Sequence, residues 1–157
     1  MMTIEISKNQ EQAWVIERAL WRDYPQLQHI EKTCFSPDDH WPFWDLLGVL
    51  TLPGVVRLKA VVDDRMIGFI SGERQTGRQI GWITNLAVLP EYRRQGIAQG
   101  LLSDCEEELG LQRICLSVRA SNLPAINLYR SNGYQEVKHW KKYYAGGEDA
   151  IVLEKLR

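Results

Sequence analysis

Residues 86–102 read LAVLPEYRRQGIAQGLL, and this stretch limits the fold more than any other part of the chain. An apolar strand stops at Pro90, two arginines follow, and Gly96-Ile97-Ala98 opens a helix. That helix carries Ile97, Leu101, Leu102, Cys105 and Leu109 on one stripe and stops at Gly110. The first amides of a helix have no intrahelical acceptors, and the dipole adds partial positive charge there. Small residues at Gly96 and Ala98 leave room for a bulky anion, while Arg93 and Arg94 add charge. In outline this is a pyrophosphate cradle, although a plain strand-to-helix turn carries the same short pattern. Neither GxGxxG nor the GxxxxGK phosphate loop occurs in the chain, which argues against a dinucleotide or Walker-type site.

The patterns on either side set the frame. Residues 13–19 alternate as a half-buried strand would. Asp23 and Pro25 start a helix with Leu27, Ile30 and Cys34 at helical spacing, and residues 36–39 break it. Residues 40–50 form an aromatic-rich helical or irregular stretch ended by Pro53-Gly54. Val56, Leu58, Ala60 and Val62 share one face of a strand. Asp63-Asp64 turns it, residues 66–71 run back, Thr76-Gly77-Arg78 turns again, and residues 79–88 form a third strand. Past the central helix, residues 113–118 form a buried strand. Ser121 or Asn122 caps a short helix with Pro124 in its first turn and Gly133 at its end. Residues 134–138 and 150–156 are strands joined by the polar stretch 139–149. The order βααβββαβαββ predicts a mixed-sheet α/β (α+β) domain over residues 13–157, with residues 1–12 as a loose extension.

Nineteen basic against twenty acidic residues leave a net charge of -1, too little field to hold a nucleic acid or an anionic membrane. Cys34, Cys105 and Cys115 are far apart and form no CxxC pair, so they read as thiols of a reducing compartment, with Cys115 inert in its apolar strand. Glu106-Glu107-Glu108 reads as a solvated helix face and a poor metal site. The start, MMTIEISKNQEQ, lacks the apolar core of a signal peptide, and no apolar run reaches the length of a membrane span. These features predict a cytoplasmic protein, monomer or homodimer, with no metal.

Three blocks in order resemble the GNAT superfamily of acetyl-CoA-dependent N-acetyltransferases. Its cofactor motif, Q/R-x-x-G-x-G/A, is matched by Arg93, Gly96 and Ala98. LSVRASNLPAINLYRSNGYQEV at 116–137 is similar to the second half of that site. KKYYAGGEDAIVLEKL at 141–156 resembles the subfamily that acetylates protein N-termini, including the ribosomal-protein-alanine type. The resemblance implies a mostly antiparallel central sheet of six to seven strands flanked by about four helices. It implies acetyl-CoA as donor, with backbone groups of Leu86, Ala87 and Val88 beside the pantetheine arm. The cradle amides would be those of Arg94, Gln95, Gly96, Ile97, Ala98 and Gln99. Asn122 would help hold the cofactor, or serve only as a helix cap. Tyr129 would protonate the leaving thiolate, the alternative being core packing.

On the acceptor side, Trp41, with Phe43 and Trp44, either covers the sheet or faces substrate. Tyr143 and Tyr144 either wall the peptide entrance or decorate a hairpin. One position departs from the family: Ser117 stands where the bacterial N-terminal acetyltransferase has a glutamate base, and a serine cannot hold that proton. Glu73, Glu136 and His139 are candidates only by the proximity of their strands. The implied acceptor is the N-terminal amine of a protein or peptide. A small-molecule amine and a non-catalytic acyl-CoA-binding module are the alternatives.

Overall fold

The computed structural model describes residues 13–75 and 77–157; the extension read over 1–12 and Thr76 of the second turn lie outside them. In chain order the elements are β1 (Val15–Arg18), α1 (Tyr24–Cys34), α2 (Phe43–Thr51), β2 (Val55–Val62), β3 (Arg65–Gln75), β4 (Ile80–Val88), α3 (Ile97–Leu109), β5 (Arg113–Arg119), α4 (Leu123–Ser131), β6 (Gln135–Trp140) and β7 (Ala150–Leu156). The strands form one seven-stranded sheet in the order β1-β2-β3-β4-β5-β7-β6. Every neighbouring pair is antiparallel except β4 and β5, which lie parallel because α3 carries the chain back between them. The expected mixed, mostly antiparallel sheet with four helices is what forms. Among the described residues no helix is long and apolar enough to cross a membrane.

The stripe read from the sequence seats α3, with Ile97, Leu101, Leu102, Cys105 and Leu109 all buried. Close approach depends on Gly72 of β3, where an added Cβ would lie 3.0 Å from Cys105 Sγ and 3.1 Å from Leu109 Cδ1. On the opposite face, α1 packs Leu27 and Ile30, and α2 packs Leu46, Val49 and Leu50. Arg57 of β2 is 8% exposed and donates to Val49 O and Leu52 O, satisfying carbonyls that the end of α2 leaves open.

β4 contains a one-residue bulge. Gly72 of β3 pairs with Ile83 and Ser71 pairs with Asn85, so Thr84 has no partner of its own in the ladder. The extra residue resets the alternation. Trp82 faces away from α3, as does Asn85 three residues later, which hydrogen-bonds to Glu31 of α1.

Asp23 and Pro25 start α1 as read, with Asp23 at the N-cap position, but its carboxylate makes no capping bond and accepts instead from the backbone N–H of Leu20 and from Lys59 Nζ. Two readings need correction. Phe43 and Trp44 do not cover the sheet but stand 50% and 75% exposed, while Trp41 packs against the core. Glu106 is not a solvated face residue. It is 4% exposed, accepts from Tyr134 Oη at 2.9 Å and pairs with Lys155 Nζ at 2.9 Å, joining α3 to the start of β6 and to β7. Lys155→Met leaves that carboxylate with one neutral donor. Because the Lys155 side chain is 26% exposed, the expected cost is about 2–3 kcal/mol rather than that of a fully buried pair. A thermal melt should show a Tm lower by about 5–10 °C.

Candidate active site

Two strands that pair only at one end create the site. β4 and β5 are paired at Ile80–Arg113, Gly81–Ile114 and Trp82–Cys115 and no further. From Ile83 onward they diverge; Ala87 keeps its backbone groups in the ladder with β3, whereas Leu86 and the N–H of Val88 are left facing the side that β5 has vacated.

At the end of β4 the chain turns through Pro90–Tyr92 into the start of α3. Arg93 Nε donates to Val88 O at 3.0 Å, so this arginine ties the loop to the strand. Arg94 and Gly96 both have positive φ, 61° and 81°. The turn leaves Arg93, Arg94, Gln95 and Gly96 exposed, while Ile97 anchors the helix below. No side chain caps α3, and its first turn holds no acidic residue. A Cβ built on Gly96 would meet nothing within 4 Å, so the space above the uncapped amides is open. Ala98 and Gln99 lie in the same first turn. Uncapped amides, open space and adjacent arginines fit a pyrophosphate group, the most demanding part of coenzyme A to seat.

Across the opening, Tyr129 of α4 is 8% exposed and packs edge-on against Tyr134 at 5.7 Å. Burial, and secondarily Tyr144, push its phenol above the ordinary tyrosine range, so it keeps its proton at neutral pH. Asn122 caps α4 by accepting from the N–H of Ala125 at 3.2 Å.

Ser117 of β5 accepts a hydrogen bond from Tyr144 Oη at 3.3 Å. The ring of Tyr144 lies over the Arg119 guanidinium, 4.6 Å from its centroid. Arg119 binds both carboxylate oxygens of Asp39, in the connection after α1, and Glu148 in the β6–β7 connection at 2.9 Å. Glu148 in turn accepts from the backbone N–H and hydroxyl of Ser121. One arginine on β5 therefore holds the two connections that flank the opening. Neither it nor its acidic partners were singled out in the sequence, because they lie 80 and 29 positions apart.

An aromatic train runs beside Ser117: Trp82 stacks on Trp140 at 6.3 Å, Trp140 meets Tyr143 at 5.0 Å, and Tyr143 meets Tyr144 at 5.0 Å. Trp41 and Trp44 line an open groove of about 300 Å³ that also takes in Glu73, the register partner of Trp82. The other two base candidates are engaged elsewhere: His139 bonds to Asp149 at 2.7 Å, and Glu136 faces Arg130 at 3.8 Å. Cys115 is 3% exposed and burial pushes its thiol up, consistent with an inert residue.

The model of the acetyltransferase (GNAT) family matches residues 14–134. The chain is 31% identical over 160 residues to an N-alpha-acetyltransferase of Saccharolobus solfataricus, covering 93% of this chain and 95% of that protein. It is 38% identical over 104 residues to the ribosomal protein bS18-alanine N-acetyltransferase of Salmonella typhimurium, covering 62% of this chain and 69% of that one. The crystal structure of the ribosomal-protein-S18-alanine N-acetyltransferase from Escherichia coli aligns with a TM-score of 0.82 at 28% identity, over 92% of this chain and 94% of that one.

Proposed function

Because the chain belongs to the acetyltransferase (GNAT) family and is an N-acetyltransferase, we propose that it moves an acetyl group from acetyl-CoA to the N-terminal amine of a protein or peptide. The observation that carries the peptide reading is the aromatic wall beside Ser117, built by Tyr143 and Tyr144 of the β6–β7 connection with Trp140. The open groove lined by Trp41 and Trp44 adjoins it through Glu73, the register partner of the Trp82 on which Trp140 stacks. A flexible chain fits such a wall better than a small amine that needs enclosure. The names of the Saccharolobus and Salmonella relatives, which act on N-alpha amines or on a ribosomal protein's alanine, support the same reading.

Acetyl-CoA supplies an acyl group activated as a thioester. The amides of Gly96, Ile97, Ala98 and Gln99, with those of Arg94 and Gln95, hold the pyrophosphate, and Arg93 keeps their loop against β4. The vacated edge of β4 at Leu86 and Val88, with Ala87 between them held to β3, orients the pantetheine arm and turns backbone donors toward the reacting carbonyl. Asn122 helps hold that arm through the part of its amide not used in capping. Tyr129 Oη holds the proton that the leaving sulfur requires, and its raised pKa means release only as charge develops there.

Ser117 stays an acceptor of the Tyr144 hydroxyl and takes up no proton from the amine. An α-amine, with a pKa of about 8, is partly neutral near pH 7, so direct attack needs only a water to carry its proton away. Ser117 also favours a second reading, in which the acceptor is a small-molecule amine.

The test is release of free coenzyme A from acetyl-CoA with a panel of short peptides and small amines. Release with peptides whose α-amine is free, and none when that amine is blocked, is the expected result. Release with small amines alone would overturn the peptide reading and leave the chemistry intact.

A further inference from the structure

Glu31 of α1 and Asn85 of β4 are buried against each other, 2% and 8% exposed. Asn85 Nδ2 donates to Glu31 Oε1 at 2.8 Å. The atoms left over are Glu31 Oε2 and Asn85 Oδ1, and both are sealed from solvent without a hydrogen-bond partner. An ionised carboxylate has only acceptors, so as a carboxylate Glu31 would leave two buried oxygens unsatisfied on adjacent groups. A single proton on Oε2 makes it a donor and gives Asn85 Oδ1 its missing partner. The two groups then close an acid–amide ring with a hydrogen bond in each direction.

We propose that Glu31 is kept as the neutral acid and, in this ring with Asn85, positions the segment of β4 that borders the opening. Asn85 is the first residue past the Thr84 bulge and lies three residues beyond the last contact with β5. A strand that has lost its neighbour on one edge needs another restraint, and the side-chain link to α1 supplies it. Leu86, Ala87 and Val88 follow directly, so the ring sets where their backbone groups point. The inference rests on reading that edge as the donor side of the acetyltransferase site.

The surroundings agree. No lysine or arginine pairs with Glu31 among the described residues. The groups that face it are Cys34 on its own helix, Asn85 on β4, and Asp39, His40 and the N–H of Trp41 in the connection after α1. Asp39 is committed to Arg119, and a His40 ring nitrogen is 2.9 Å from Phe35 O. Burial pushes Glu31 above the usual carboxylate range, outweighing the Asn85 hydrogen bond, His40 and the Trp41 amide, which all favour the carboxylate.

The test compares wild type with Glu31→Gln and Glu31→Leu. Glutamine can make the same ring, with its carbonyl accepting from Asn85 and its amide donating to Asn85 Oδ1. Leucine keeps the volume and makes neither bond. Infrared difference spectra at neutral pH should show a protonated-carboxyl stretch in wild type that is absent from Glu31→Gln. Glu31→Gln should keep kcat/KM within about threefold, whereas Glu31→Leu should lower it by about tenfold or more with the fold intact by circular dichroism.

The sign of the pH effect follows from linkage. A carboxyl raised in the folded state gives stability that is full below its unfolded value of 4.5 and is lost as pH rises through the folded value. Glutamine cannot titrate, so the Tm of Glu31→Gln should gain on wild type from weakly acidic to alkaline pH. Absence of the protonated-carboxyl band, or a Gln variant as damaged as Leu, would overturn the proposal. The band and the melting curves do not depend on turnover, so a failed acetyltransferase assay leaves this test standing.

Discussion

Tyr129→Phe is expected to lower kcat by about 10²–10³-fold, the usual contribution of a positioned general acid, while acetyl-CoA affinity stays unchanged. The substitution removes one oxygen that no group among the described residues shares, and it keeps the ring packed edge-on against Tyr134. The fold should therefore be unaffected, so the loss can be assigned to chemistry. Stopped assays of coenzyme A release would give kcat, and calorimetry would give the affinity. The pH profile provides a second check. Burial raises the Tyr129 pKa, so the acid stays loaded across the assay range. With no carboxylate at Ser117, wild-type kcat/KM should rise with pH until the α-amine is neutral, near its pKa of about 8, and then level off. A falling limb before about pH 10, the ordinary tyrosine value, would point to a different acid. A Phe variant with wild-type turnover would remove Tyr129 from the mechanism altogether.

Gly96→Val is expected to weaken acetyl-CoA binding by at least about 100-fold, equivalent to the loss of one or two charge-assisted hydrogen bonds. The φ of 81° at Gly96 is one that a β-branched residue rarely adopts, so the loop must shift. The new side chain also projects into the open space above the amides of Ile97, Ala98 and Gln99. Both effects move the cradle away from an incoming anion. Calorimetry measures the affinity directly. A thermal melt gives an independent reading: acetyl-CoA in excess over the wild-type Kd should raise the Tm of wild type by mass action and raise that of the variant far less. A valine variant with unchanged affinity would show that the pyrophosphate lies elsewhere.

Local signals were legible in the chain and distant ones were not. The helix from Gly96 to Gly110 could be read because its stripe, its glycine stop and the preceding Pro90 are all local. The same holds for the cap at Asn122 and the turn at Asp63-Asp64, both of positive φ. The Thr84 bulge left no trace, since one inserted residue changes no composition and the flanking runs stay apolar. Glu106 was misread for a related reason. Three consecutive glutamates look solvated, and the partners of the first, Tyr134 and Lys155, come from 28 and 49 positions away. Whether Phe43 and Trp44 cover the sheet or stand free could not be read locally, because it turns on the sheet surface nearby being already occupied by Leu46, Val49 and Leu50. The placement of β7 between β5 and β6 depends on long-range pairing that no periodicity records.

Arg119 holds Asp39 on one lip of the entrance and Glu148 and Tyr144 on the other. The two lips are therefore not separate modules. Grafting one acceptor loop from a relative would leave a carboxylate of the other without its share of the guanidinium, so the exchange would disturb the loop that was never touched. On the proposed reading of the entrance, acceptor preference is inherited as a pair of loops together with one arginine, and redesign has to move all three at once.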